Sequence, residues 1–209
     1  MNLIRKPFKY TYKNAVFAII AVNSAVFLFV SVFKTASIYL GLVPIAVLQA
    51  NTYWQFFTYQ FVHGSFLHLF FNMLALYYFG VPIEQKTGTK EFLLYYFLIG
   101  TLGGVFSFFI YYAAGMYIIV LMGASGAVFG ILLLYAVLFP HSVIYLWAVI
   151  PVPAPVLILG YAVIELIGIF SANDGVAHLT HFLGLLFGWL YILIRFGVNP
   201  IKIWNSSFR

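Results

Sequence analysis

The stretch LMGASGAVFG, Leu121 to Gly130, sets the hydroxyl of Ser125 between Gly123 and Gly126, just where apolar sequence resumes. A serine in a lipid-facing helix is ordinarily inert, bonding back to a carbonyl one turn earlier, and glycines near it ordinarily signal close helix packing. It becomes a nucleophile only with a base within about 3 Å and donors for the oxyanion that its attack creates. Candidates for both roles are present. The segment HGSFLHLFFN carries His68 and Asn72 four residues apart, hence on one helical face, with His63 just upstream. The segment AHLTHFLGLLFG carries His178 and His181.

Geometry separates the two later histidines. Helices pack about 8–10 Å apart, too far for a serine and a histidine to bond comfortably across a bulky seam. His181 is followed at +3 by Gly184 and at +7 by Gly188, and Gly126 and Gly130 reciprocate on the serine segment, so small residues let the two helices approach. His178 has His181 and Leu185 at those offsets. His181 is therefore the preferred base and His178 the alternative. No acid is well placed as a third member: Asp174 lies outside the last apolar run, while Glu84, Glu91 and Glu165 belong to other runs or loops. The expected machinery is a dyad, with the backbone N–H of Ser125 near a helix start and the side chains of His68 and Asn72 as oxyanion donors. His178 and His181 share a face and could together bind a metal, but no carboxylate or cysteine completes a zinc set at that depth. Neither a metal nor another cofactor is expected.

The elements that must position these groups belong to a membrane protein. Of the 209 residues, 65% are hydrophobic and 7% charged, against roughly 25% charged in a soluble domain. There is no cysteine, which excludes disulfides and thiol chemistry. The net charge of +6 is no signal of nucleic acid, because the basic residues sit at the ends of apolar runs. No cleavable signal peptide is evident after Arg5, Lys6, Lys9 and Lys13, since the run that follows is long and lacks a convincing small-residue cleavage site.

One domain over 1–209 is expected, an all-α bundle of six spans near Ala15–Phe33, Leu67–Val81, Phe92–Ala113, Gly123–Leu138, Pro153–Phe170 and Ala177–Phe196. Residues 34–66, rich in aromatics such as Trp54, Phe56, Phe57 and Tyr59, form an outer interfacial loop. The stretch VIYLWAVIPVPAPV, broken by Pro151, Pro153 and Pro155, is a poor helix and reads as an interfacial connection. With the N-terminus inside, Arg5, Lys6, Lys9, Lys13, Lys86, Lys90, Arg195, Lys202 and Arg209 fall on the cytoplasmic side and only Lys34 outside. Residues 1–14 are then a cytoplasmic basic segment and 197–209 a cytoplasmic tail. The second, fourth and sixth spans all descend from the outer face, so Ser125 and its partners share one depth below it.

These residues resemble the rhomboid intramembrane serine proteases along nearly the whole chain. GASGAVFG looks like the family's GxSG motif, with Ser125 at the nucleophile position. HGSFLHLFFN looks like its histidine-and-asparagine motif, with His68 and Asn72 at the oxyanion positions. HFLGLLFG fits HxxGxxxG, with His181 at the general-base position, and Glu84 in YYFGVPIEQKTG matches a structural glutamate. The chain departs from many members in having Trp54-Gln55 where they carry Trp-Arg, and Phe129 where they often have tyrosine, an aromatic that can still pack on His181. His63 reads first as structural, bonding loop backbone, with contact to the site in support of it as the alternative; Gly123, Gly126, Gly130, Gly184 and Gly188 support the site through packing.

The resemblance implies cleavage of single-span membrane proteins near the outer end of their helix, with the lipid bilayer as the other partner. The fifth span and the loop from Ser171 to Val176 are, by the same resemblance, the candidates for the gate, either of which could open. An inactive relative that binds membrane proteins should have lost Ser125 or the base, and neither is lost. A transporter should continue its polar path inward, yet the inner halves of the second, fourth and sixth spans are almost wholly apolar. The default location is a prokaryotic plasma membrane, the chain having no organelle-targeting extension.

Overall fold

The computed structural model describes residues 3–146, 149–171 and 175–207. Asp174 and Arg209 lie outside the described residues, as do 172–174 of the gate segment and 147–148 of the proline-rich connection. Helix α1 (Ala15–Val32) leads into three short helices, α2 (Lys34–Leu40), α3 (Pro44–Gln49) and α4 (Gln55–Thr58). Helix α5 (Phe66–Ala75) continues through a π-helical turn, Leu76–Gly80, into α6 (Val81–Thr87). Then follow α7 (Thr89–Ala113), α8 (Ser125–Leu138), a hairpin of β1 (Val143–Leu146) and β2 (Ile150–Pro153), and α9 (Ala154–Ser171). Helix α10 (His178–Tyr191) ends in a π-helical turn, Ile192–Phe196, and α11 (Pro200–Ser207) closes the chain.

This is an all-α membrane bundle. Among the described residues, five helices are long and apolar enough to cross a bilayer: α1, the continuous rod Phe66–Thr87, α7, α9 and the rod His178–Phe196. Their outward faces carry large apolar side chains, with Phe170 84% and Leu28 67% exposed, which is stable only where lipid replaces water. Helix α8 has 14 residues and rises about 21 Å, short of the roughly 30 Å hydrocarbon layer. Its sequence is apolar on every side, and ten of those residues are buried, because it is the helix that α7, α9, α10 and the α5–α6 rod surround.

Some boundaries differ from the sequence expectation. The fourth helix begins at Ser125 rather than Gly123, whose φ of +121° is incompatible with a helical residue. The second runs past Val81 to Thr87; its π turn stands just before Pro82, whose ring removes the bond an unbroken α-helix would form there. The described residues of the proline-rich stretch up to Pro153 are not helical, and residues 154–156 already belong to α9. The part up to Pro153 forms the β1–β2 hairpin in register Val143↔Pro153 to Leu146↔Ile150, and with two strands both are edges, where proline is tolerated.

The segment between α1 and α5 is docked by named polar contacts. Gln55 is buried; its Oε1 accepts from Val43 N at 2.9 Å, and its Nε2 donates to the carbonyls of Ile38 and Tyr39 at 3.1 and 3.2 Å. The neutral amide of the Trp54-Gln55 pair thus satisfies three backbone groups. Tyr59 donates to Gly100 O at 2.6 Å, and Leu42 and Leu121 exchange two backbone bonds of 2.9 Å, which ties this segment to the strand leading into α8. At the far end of the bundle, Arg195 grips Glu91 with Nε at 2.9 Å and a terminal nitrogen at 2.7 Å, and the Tyr191 hydroxyl also donates to that carboxylate. This joins the first turn of α7 to the last of the α10 rod. Fully buried Glu84 caps α1 from a distance, accepting from Ala15 N at 2.8 Å, Val16 N at 3.1 Å and the Thr89 hydroxyl at 2.6 Å.

Candidate active site

Ser125 opens α8, and no side chain caps that helix start, so first-turn N–H groups are available to an anion. The approach is set by Gly123, whose N–H donates to Tyr59 O at 3.0 Å and whose left-handed backbone turns the chain into the helix. A methyl group at position 123 would lie 2.7 Å from His68 Nε2 and 3.6 Å from Ser125 Oγ. The imidazole and the hydroxyl therefore face one small space, kept open by the missing side chain.

Close approach of α8 and α10 brings His181, the expected base, to Ser125. A methyl at 184 would stand 2.0 Å from Gly126 O, and one at 188 would stand 3.3 Å from Gly130 Cα and 2.6 Å from the Tyr95 hydroxyl. With bare backbone on both sides, His181 Nε2 reaches Ser125 Oγ at 2.7 Å, a hydrogen bond. The ring of Phe129, one turn after the serine, stacks on the His181 imidazole with centroids 4.4 Å apart and planes 13° from parallel. That stack and the tight seam leave His181 only 9% exposed.

The other residues singled out in the sequence divide into two groups. Asn72 is buried beside His68 on α5, but one of its amide protons bonds back to His68 O at 2.8 Å, leaving the second as the donor for a ligand. His63 lies under the serine turn, its ring edge-on to His68 at 5.0 Å and its Nε2 accepting from Ala124 N at 3.4 Å. Burial pushes the His63 imidazole down to about 4, and the neighbouring His68 adds to the push. A neutral ring suits both contacts, with Nδ1–H toward Phe61 O at 3.4 Å and Nε2 as acceptor. Glu84 is far from this site, at the start of α1.

His178 does not contact Ser125 among the hydrogen bonds of the described residues; its Nδ1 lies 2.6 Å from Glu165 Oε2. The other oxygen, Oε1, is 3.2 Å from His181 Nδ1. Glu165 is thus the acid that spacing alone did not bring to the site, since α9 is a separate helix with no fixed sequence offset to α10. One signal was present: a carboxylate inside an 18-residue apolar helix is costly enough in a bilayer to mark a functional contact by default. No group of three side chains placed to hold a metal ion occurs among the described residues.

The comparisons agree with this architecture. The sequence profile of the Rhomboid domain matches residues 50–198. Rhomboid protein 1, mitochondrial, of Saccharomyces cerevisiae is 33% identical over 192 residues, covering 87% of this chain and 54% of that protein. Rhomboid protease AarA of Providencia stuartii is 30% identical over 167 residues, covering 68% of this chain and 57% of that one. Rhomboid protease GluP of Bacillus subtilis is 36% identical over 96 residues, 44% of this chain and 18% of its own. The chain belongs to the rhomboid family. It spans little more than half the length of the first two of these relatives, and far less of the third.

Proposed function

We propose that this protein is an intramembrane serine endopeptidase that cuts single-span transmembrane proteins near the outer membrane face. The observation that carries the reading is the 2.7 Å contact between Ser125 Oγ and His181 Nε2 inside an apolar bundle. His181 takes the proton as Ser125 Oγ attacks the scissile carbonyl. The oxyanion is held by the Ser125 backbone N–H with His68 and the second Asn72 donor. The imidazolium then protonates the leaving amine, and water releases the acyl-enzyme. A substrate helix hides its peptide bonds, so small or helix-breaking residues near the cut are required. Helix α8 serves as the fourth of six spans, both termini are cytoplasmic, and α9 with the segment from Ser171 to Val176 is the candidate gate. No nucleic acid, metal or cofactor takes part.

The relatives above include proteins named as proteases, which supports the reaction class. They come from a yeast mitochondrial protein as well as from bacteria, so the similarity supports a multi-pass membrane location and does not select a prokaryotic plasma membrane. The alternative is a catalytically inactive rhomboid-like binder of membrane proteins; an intact serine and base in contact weigh against it. The test is fluorophosphonate labelling of the purified protein, with cleavage of a transmembrane substrate in liposomes. Labelling lost in Ser125→Ala and His181→Ala but kept in His178→Ala is the expected result. Labelling lost only in Ser125→Ala and His178→Ala moves the base by one turn. Folded wild type that neither labels nor cleaves makes the protein a binder.

A further inference from the structure

The chain has four acidic residues, and of the three described, two are committed far from the dyad: Glu84 to the start of α1 and Glu91 to Arg195. The third, Glu165, is 5% exposed in the middle of α9 and directs both carboxylate oxygens at α10. The approach is built into both helices. Glu165 and Gly168 share a face of α9 at i, i+3, as His178 and His181 share a face of α10. A methyl at 168 would stand 2.4 Å from His178 Nδ1, so the glycine makes room for the ring that holds Oε2. With Oε2 tied to His178 at 2.6 Å, Oε1 is left 3.2 Å from His181 Nδ1. That nitrogen is buried and has no aligned hydrogen-bond partner, so the contact at rest is an electrostatic one. Catalytic hydrogen bonds are often poorly aligned before substrate binds and tighten in the complex.

We propose that Glu165 is a positioning residue for His181, a third member supplied by α9, with His178 anchoring the carboxylate. The proposal rests on the Ser125–His181 reading and extends it from a dyad to a relay of orientation across two helices. A carboxylate at Nδ1 keeps the proton on that nitrogen, which makes Nε2 the acceptor that Ser125 needs, and it stabilises the imidazolium formed when Oγ attacks. It also makes the base sensitive to α9. If that helix swings out to admit substrate, the orienting charge leaves with it, and the dyad is fully armed only when α9 has returned.

The test compares wild type, Ser125→Ala, Glu165→Gln and His178→Ala in proteoliposomes with a transmembrane substrate. It also records the histidine ¹⁵N spectrum of each folded protein. Glu165→Gln keeps size and removes charge, and its amide can donate to Nδ1 and favour the wrong tautomer. A fall in kcat of about 10- to 100-fold is expected, in the range of lost outer-shell partners, with KM within about twofold and the thermal midpoint unchanged. The His181 signal should move from the Nδ1–H to the Nε2–H tautomer. His178→Ala, which leaves the charge in place, should lose less. Unchanged kcat in Glu165→Gln overturns the proposal while leaving the protease reading intact, and so does a loss of stability with the tautomer retained. An Nε2–H tautomer of His181 in wild type overturns it even if Glu165→Gln does not fold. Wild type no more active than Ser125→Ala removes both readings.

Discussion

Replacing Gly184 by alanine adds one methyl group at the seam that joins α10, which carries His181, to α8, which carries Ser125. That carbon would be created 2.0 Å from Gly126 O and 2.9 Å from Gly126 C, both backbone atoms that cannot rotate away. An ordinary carbon–oxygen contact needs about 3.2 Å or more, so α8 and α10 must part by roughly 1.2 Å at this point. His181 is one turn from Gly184, and Ser125 is adjacent to Gly126. The 2.7 Å hydroxyl–imidazole contact therefore opens to about 3.9 Å, beyond hydrogen-bond reach. A displacement of this size costs on the order of 100-fold in rate when the reacting groups must be in contact. Overpacking destabilises by about 1–3 kcal/mol, offset by up to about 1 kcal/mol from the better helix propensity of alanine. The rate effect should thus exceed what unfolding explains. The measurements are the fluorophosphonate labelling rate, kcat in proteoliposomes and the thermal midpoint, with Gly160→Ala as control. A methyl at 160 meets nothing within 4 Å, and that variant should label normally. Wild-type labelling by Gly184→Ala would refute the claim that glycine-to-backbone contact sets the dyad distance.

Gly123→Ala places a methyl 2.7 Å from His68 Nε2 on a backbone with φ of +121°, so labelling should fall by at least tenfold even where the fold survives; a labelling rate equal to wild type counts against this space holding the oxyanion. Glu84→Ala strips the start of α1 of a carboxylate that accepts three bonds, and a loss of about 2–4 kcal/mol should appear as a lower thermal midpoint with the dyad unaffected. His63 is held near 4 in the folded state against an ordinary value of 6.5. Its contribution is complete above pH 6.5 and is lost as pH falls from there toward 4, by up to about 3 kcal/mol. Thermal midpoints measured across that range should fall more steeply for wild type than for His63→Gln; parallel curves would contradict a buried neutral ring.

The legible part of this protein was set by local periodicity and by cost. Apolar runs near 20 residues have few alternatives to spanning helices, because unpaired backbone cannot be left in lipid. The serine, the glycines at +3 and +7 from His181, and the His68–Asn72 spacing could be placed on helical faces by counting, because each pair lies on one element. The same counting could not start α8 at Ser125 or pair Val143–Leu146 with Ile150–Pro153 in a hairpin, since a positive φ at Gly123 and an edge-strand pairing depend on what the segment meets.

Above all, it could not place Glu165. Two helices joined by a loop have no fixed rotational register in sequence, and only side-chain packing at Gly168 turns the carboxylate toward His181 rather than toward lipid. What the sequence determined by itself was which groups each helix carries and on which face. Which groups meet across helices, and at 2.7 or 3.2 Å, was decided by the tertiary packing of glycine against backbone and ring, because contact between separate elements is a property of their shapes and not of their spacing.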